Sequence, residues 1–238
     1  SSEARAQAVL ALIAEHGPSS TLVFCNTKDE CNTLARALRR GGVHTLALHG
    51  DLEQRERDEV LVVFANHSCS ALVATDVAAR GLDIVDLDCV INYEISPDAD
   101  VHLHRVGRTG RAGKQGLALS LYRAADSGRV QRIEEAQGGA VKRARLPAMT
   151  AGGTALLQPP MVTLLIEGGR KDKLRAGDIL GALTGDGGVA GDQVGKIHVM
   201  EVRTYVAVKR ESASRALECL LGGRIKKRKF RVSKVAAG

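Results

Sequence analysis

The sequence predicts two domains: an α/β parallel sheet with helices on both faces, followed by a smaller α+β domain of order βαββαβ. Three observations predict this. Apolar runs of strand length alternate with amphipathic segments of helix length from residue 3 to residue 121. Glycines and prolines then interrupt every pattern: Gly138-Gly139, Pro147, Gly152-Gly153 and Pro159-Pro160. Beyond them the charge balance changes, because Met161 to Gly238 holds 16 Lys+Arg against 8 Asp+Glu whereas the first 160 residues hold 18 against 19. The first domain is therefore placed at 1–140, a linker at 141–160 and the second domain at 161–238.

In the first domain, Val9, Leu10, Leu12 and Ile13 mark a helix over residues 3 to 16, closed by Gly17-Pro18. Thr21 to Cys25 is a short β-rich run. Thr27-Lys28-Asp29 opens a second helix, with Cys31, Leu34, Ala35 and Leu38 on one face and Gly41-Gly42 at its end. Strands are expected at 43–48, 71–74, 89–92 and 117–121, and further helices at 53–64 and 98–106. Strands apolar on both faces and separated by helices form a parallel sheet, whose ligands bind at the carboxyl ends of the strands. In the second domain, strands are expected at 162–166, 195–202, 204–208 and 229–235, with helices at 176–183 and 212–221.

At 238 residues, 44% hydrophobic and 26% charged, the chain has the composition of a globular protein. No run approaches the roughly twenty apolar residues of a membrane span, and no charged-then-apolar leader opens the chain. A soluble, cytoplasmic protein with no membrane partner is expected. The five cysteines form no Cys-x-x-Cys pair, which suits buried free thiols. His49, His102 and His104 lack a cysteine or carboxylate at ligand spacing, so no metal site is expected. No heptad segment follows the first domain, and a monomer is expected.

The chemistry concentrates in His104-Arg105-Val106-Gly107-Arg108-Thr109-Gly110-Arg111, where four cationic or titratable side chains alternate with glycines. Arginine's planar fork matches phosphate oxygens, and glycine lets backbone approach a ligand. Arg108 and Arg111 sit three apart, so they share one side if helix continues through the loop. Asn26-Thr27, His49-Gly50-Asp51 and Thr75-Asp76 fall at other strand ends, on the same sheet edge. Taken by themselves, Asp83 could equally cap a turn, and Gln54 to Arg57 could be an ordinary exposed helix face.

Leu22 to Thr27, Gln54 to Arg57, Ala74 to Asp83 and His104 to Arg111 resemble, in order and spacing, motifs IV, IVa, V and VI of DEAD-box RNA helicases. The resemblance implies that residues 1 to 123 are the second RecA-like half of such an enzyme. It implies that Arg108 and Arg111 act as arginine fingers on the ATP γ-phosphate and that His104 links the nucleotide and RNA sites. By the same resemblance Asp83 accepts hydrogen bonds from the ribose, Gln54, Arg57 and Thr75 touch the RNA backbone, and Arg80 orders the motif loops. A P-loop is missing: Gly110-Arg111-Ala112-Gly113-Lys114-Gln115 has the wrong spacing, and Asp-Glu-Ala-Asp does not occur. ATP and Mg would be bound mainly by an N-terminal RecA-like domain outside this sequence, and the chain alone is expected to be inactive.

The second domain offers few stacking rings. Its third strand keeps only Tyr205, with Arg203 nearby, whereas an RNA-recognition sheet normally presents aromatics on its central strands. Cations cluster instead in Arg170, Lys171, Lys173 and Arg175, and in the run from Arg224 to Arg231, where Lys229 and Arg231 alternate with Phe230 and Val232. The βαββαβ order is similar to that of RNA-recognition-motif (RRM-like) domains, and RNA contacts are expected from Arg170, Lys171, Lys173, Arg175, Arg203, Tyr205, Lys229 and Arg231, through phosphates and shape. Gly168 to Leu183, Val194 to Ile197 and Tyr205 to Val208 are similar to the RNA-binding domain of DbpA-type bacterial DEAD-box helicases. That likeness implies anchoring on large-subunit ribosomal RNA and unwinding of nearby duplex during ribosome assembly. The competing readings are a non-enzymatic RNA-binding adaptor, suggested by the missing P-loop, and a DNA translocase, disfavoured by Arg80-Gly81-Leu82-Asp83.

Overall fold

Thr21–Cys25 (β1) forms the middle of a five-stranded sheet in a computed structural model that describes residues 2–80, 84, 87–110, 116–147, 158–185 and 188–236. Its partners are Thr45–Leu48 (β2), Ala71–Thr75 (β3), Cys89–Asn92 (β4) and Leu117–Ser120 (β5), in the order β2-β3-β1-β4-β5. Every pairing is parallel, and Val23 lies opposite both Val73 and Ile91. All residues of β1, β3 and β4 are buried, as strands covered on both faces must be.

Ser2–His16 (α1) and Lys28–Arg40 (α2) cover one face, packing Val9, Leu12, Leu34 and Leu38 against Val23, Val73 and Ile91. Thr27 caps α2: its hydroxyl oxygen accepts the Glu30 backbone N–H at 3.3 Å. Leu22, Phe24, Leu72 and Val90, of opposite parity, are buried as well. Gln54–Ala65 (α3), Asp76–Ala79 (α4), Ala99–Val106 (α5) and Ser127–Gln137 (α6) complete the order, and Arg105 of α5 lies 5.2 Å from the Phe24 ring centroid.

The second strand starts two residues later than expected. The Val43 N–H bonds the Leu38 carbonyl at 2.9 Å, closing the end of α2 and keeping Val43 out of the ladder.

The second sheet is antiparallel, built from Met161–Ile166 (β6), Val194–Val199 (β7), Thr204–Lys209 (β8) and Val232–Lys234 (β9) in the order β7-β8-β6-β9. Ala176–Thr184 (α7) and Ala213–Gly222 (α8) pack Ile179, Leu183, Ala216 and Leu220 on Leu164, Ile166, Val206 and Val208. The order βαββαβ is the expected one. The last strand is shorter than expected. Ile225 and Arg228 exchange backbone hydrogen bonds of 2.9 and 3.0 Å around a two-residue turn whose central Lys226 and Lys227 have φ of 51° and 65°. Residues 229–231 follow this turn and precede β9, whose pairing with β6 begins at Val232 opposite Ile166.

By contacts the chain divides into one unit of Ser1–Val60 and Ser70–Gln158 and another of Leu61–Cys69 and Pro159–Ala237. No helix among the described residues is long and apolar enough to cross a membrane.

Candidate functional site

The arginine loop follows α5 without continuing it. Asp98 caps the start of the helix, its carboxylate accepting the Asp100 N–H at 2.8 Å, and Gly107 closes the end, donating to the Leu103 carbonyl at 2.9 Å. Arg108 and Thr109 then turn back onto Arg105 and Val106. The Thr109 hydroxyl donates to the Leu87 carbonyl, and Gly110 takes a φ of 68°, which favours glycine. The premise of a helix running through the loop therefore fails, because the turn ends it before Arg108. Arg111 and Asp83 lie outside the described residues.

Beside the loop is a cleft of about 360 Å³ whose lining includes Asp76, Arg80, Asp100, His104, Arg105 and Arg108. His104 and Arg80 are exposed, and Arg108 is half-buried. The expected residues Arg80, His104 and Arg108 thus come together from α4, α5 and the turn after α5.

Arg105, which sequence reasoning passed over, holds these pieces in place. Its side chain is 1% exposed. All five of its N–H donors are used. Nε and Nη2 grip the two Asp76 oxygens at 2.7 and 2.6 Å, Nη1 donates to Asn92 Oδ1 at 3.2 Å and to the Glu94 carbonyl at 2.9 Å, and Nη2 also donates to Asn26 Oδ1 at 2.8 Å. A guanidinium can enter the interior only when its charge is paired and its donors are satisfied, and Arg105 meets both conditions. The available signal was two short polar residues, Asn26 and Asp76, each just past the end of a largely apolar strand.

Gln54 opens α3 and is exposed, with Nε2 donating to Asp58 Oδ1 at 2.7 Å. Arg57 is half-buried, and its guanidinium donates to the Ala78 carbonyl, fastening α3 to α4. Thr75 is 9% exposed at the end of β3. His102 faces inward, and burial and the Arg105 charge hold its imidazole below the usual histidine range. Burial pushes the Cys31 thiol up to about 11 and the Cys89 thiol up to about 12, so neither is poised as a nucleophile. Among the described residues no group of three His, Cys, Asp or Glu could hold a metal ion.

In the second unit the two basic runs meet. Lys226 Nζ donates to the Lys173 carbonyl at 2.8 Å, Arg228 pairs with Asp172 at 2.9 Å, and the Glu167 N–H bonds the Arg231 carbonyl at 2.9 Å. Arg170 and Lys171 donate backbone N–H groups to Met200 and Glu201 at 2.8 and 2.9 Å, which brings the Arg203 segment to the same end. Arg170, Lys171, Lys173, Arg175, Lys229 and Arg231 are all exposed, and so are Arg224, Lys226 and Lys227. Arg203 is half-buried, with one terminal nitrogen enclosed and lacking a partner among the described residues. Tyr205 is 1% exposed and presents no ring face to solvent.

A parallel sheet carrying an arginine loop at its carboxyl edge, followed by a small antiparallel domain with a cationic end, is the architecture expected of the C-terminal region of a nucleic-acid helicase. Residues 4–113 match the helicase conserved C-terminal domain, and residues 163–234 match the DbpA RNA binding domain. The chain belongs to the DEAD-box RNA helicases of the DbpA type. It is 48% identical to the ATP-dependent RNA helicase DbpA of Escherichia coli over 221 residues, 93% of this chain and 48% of that protein. With the Bacillus subtilis DbpA it shares 30% over 243 residues, 94% of this chain and 51% of that one. The chain therefore spans about half the length of these curated relatives. Among solved structures, the E. coli DEAD-box protein SrmB superposes with a TM-score of 0.57 at 32% identity, covering 63% of this chain and 91% of that one. A DEAD box protein of Methanococcus jannaschii gives 0.55 at 39% identity, covering 59% and 39%.

Proposed function

We propose that this chain is the nucleotide-sensing and RNA-anchoring part of an ATP-dependent RNA helicase that acts on large-subunit ribosomal RNA and unwinds nearby duplex during ribosome assembly. The observation that carries this reading is the cleft that gathers Arg80, His104 and Arg108 beside the locked Arg105–Asp76 pair. The arginines suit a polyphosphate. The cleft does not suit a magnesium ion, since of the two carboxylates on the lining Asp76 is already gripped by Arg105, which leaves Asp100 alone. ATP and its magnesium would accordingly be held by an N-terminal RecA-like partner domain, which supplies the chemistry of phosphoryl transfer. Residues 141–160 would serve as the linker between the two domains of this chain.

Within this chain, Arg108 and Arg111 would neutralise charge that builds on the transferring group, an effect worth about a thousandfold or more in rate. His104 would couple the cleft to RNA, and Asp83 would hold the ribose. Gln54, Arg57 and Thr75 would meet the RNA backbone, Arg57 through whatever donors its bond to Ala78 leaves free. In the second unit Arg170, Lys171, Lys173, Arg175, Arg203, Lys229 and Arg231 would meet phosphates of a folded RNA. The buried ring of Tyr205 leaves stacking a minor part. The protein would act as a cytoplasmic monomer.

In the intact protein, Arg108→Ala should remove most RNA-stimulated ATP hydrolysis while ATP binding survives; unchanged turnover refutes the finger role. Substituting Lys171, Lys173 and Arg175 together should weaken ribosomal RNA binding and flatten its salt dependence, because each lost phosphate contact releases fewer counterions.

A further inference from the structure

Glu94 stands two residues beyond β4, and its carboxylate is divided between two elements. One oxygen pairs with the Arg5 guanidinium from the start of α1, and the other accepts Asn26 Nδ2 at 3.1 Å. Both side chains of the ion pair are largely enclosed, at 17% exposure for Arg5 and 22% for Glu94. Arg5 also lies 5.5 Å from the centroid of the Tyr93 ring, which limits where its guanidinium can go. Asn26 passes the constraint on, because its own oxygen accepts Arg105 at 2.8 Å. A side-chain amide has one donor end and one acceptor end. With Arg105 at the oxygen, the group at the nitrogen must be an acceptor, and Glu94 is that acceptor. The polarity of the whole series, Arg5 to Glu94 to Asn26 to Arg105 to Asp76, is thereby fixed.

Glu30 stands close enough to Glu94 for their charges to interact. Burial, together with the neighbouring charge of Glu94, raises the Glu30 carboxyl above the ordinary glutamate range. Neither Arg5 nor Glu94 lines the cleft that holds His104 and Arg108.

We infer that Arg5 and Glu94 are positioning residues: by orienting Asn26 they hold Arg105, and through it the turn that carries Arg108, in register with Asp76. The catalytic consequence rests on the proposed function, whereas the wiring itself does not. Glu94→Gln offers one acceptor and one donor where two donors converge, so one of the two contacts must break. Arg5→Ala removes the ion pair, and Arg5→Lys restores a single cation to it.

The first measurement follows exchange of the Arg105 side-chain N–H with solvent by nitrogen-15 NMR on this chain. Glu94→Gln and Arg5→Ala should each speed it at least tenfold, with β1 and β3 core amides changing less than twofold and Arg5→Lys staying near wild type. Unchanged Arg105 exchange, or core amides accelerating in parallel, overturns the inference. The second measurement uses the intact protein: kcat for RNA-stimulated ATP hydrolysis should fall about tenfold in both variants, with KM for ATP and for RNA within twofold of wild type and Arg5→Lys rescuing. Unchanged kcat alongside faster exchange overturns the positioning role. An intact wild-type protein with no RNA-stimulated turnover would instead refute the proposed function and leave the exchange result to decide the wiring.

Discussion

Replacing Arg105 with alanine tests whether the site is assembled as described. The guanidinium is 1% exposed and Asp76 is 23% exposed. Its removal strips the Asp76 carboxylate of two donors at 2.7 and 2.6 Å and leaves Asn26 Oδ1, Asn92 Oδ1 and the Glu94 carbonyl without theirs. Breaking a buried ion pair from one side costs about 3–5 kcal/mol. Partial hydration of Asp76 lowers that cost and the vacated side-chain volume raises it, so about 4 kcal/mol is expected. Lysine keeps the charge but offers at most three donors where five are used; two lost hydrogen bonds at about 1 kcal/mol each make Arg105→Lys about half as costly. The chain holds two units, so a single melting curve does not report one equilibrium. Native-state amide exchange of β1 and β4 reports the first unit directly, and 4 kcal/mol corresponds to roughly a thousandfold faster exchange. An acceleration below about fivefold for Arg105→Ala, or equal costs for alanine and lysine, would refute the assignment of Arg105 as the locked centre of the loop.

Three further predictions concern the second unit. A Cβ on Gly169 would stand 2.3 Å from the Met200 carbonyl oxygen and 2.7 Å from the Arg203 nitrogen, both backbone atoms, so Gly169→Ala should destabilise this unit by about 1–3 kcal/mol, read as faster exchange in β6 and β8; a neutral result contradicts the packing of residues 168–170 on 200–203. Lys227 has a φ of 65°, a conformation that costs a side-chain-bearing residue about 1–2 kcal/mol, part of which glycine gives back as chain entropy. Lys227→Gly should therefore stabilise the unit by a few tenths to about 1 kcal/mol while weakening RNA binding, and loss of stability would show the turn to be misassigned. Asp172 is held below the ordinary aspartate range by the Gly169 N–H and by Arg228. Its pKa is lower folded than unfolded, so its contribution is present above the unfolded value and is lost as pH falls through the folded one. Carboxyl NMR titration should give a midpoint below about 3.9; one at or above that value would mean the contacts do not form.

Periodicity made most of the scaffold legible. Thr21 to Cys25 and Ala71 to Thr75 are apolar enough to be covered on both faces, and the helix pattern of Cys31, Leu34, Ala35 and Leu38 is the set that is buried. Local pattern could not separate the charges that the fold neutralises from those it leaves for a ligand. Arg105 and Arg108 stand in the same octet with the same chemistry, yet Arg105 is buried because Asn26, Asp76 and Asn92, respectively 79, 29 and 13 positions away, converge on it. Alternation puts Tyr205 opposite Val206 and Val208, on the face a reader of strands leaves open, and that ring is buried too. The shortened β9 has the same origin, since no propensity places two lysines in a left-handed turn. Residues held in such rare conformations cost stability and persist where the surrounding contacts over-determine them. Here those contacts are Lys226 on the Lys173 carbonyl and Arg228 on Asp172, and they leave Lys171, Lys227 and Lys229 facing solvent. In the first unit a buried cation, Arg105, fixes the backbone from which its neighbours project, and in the second the exposed Lys226 and Arg228 do so through their bonds to the Lys173 carbonyl and Asp172. For phosphate recognition the position of a charge is therefore set by its paired neighbour as much as by its own side chain.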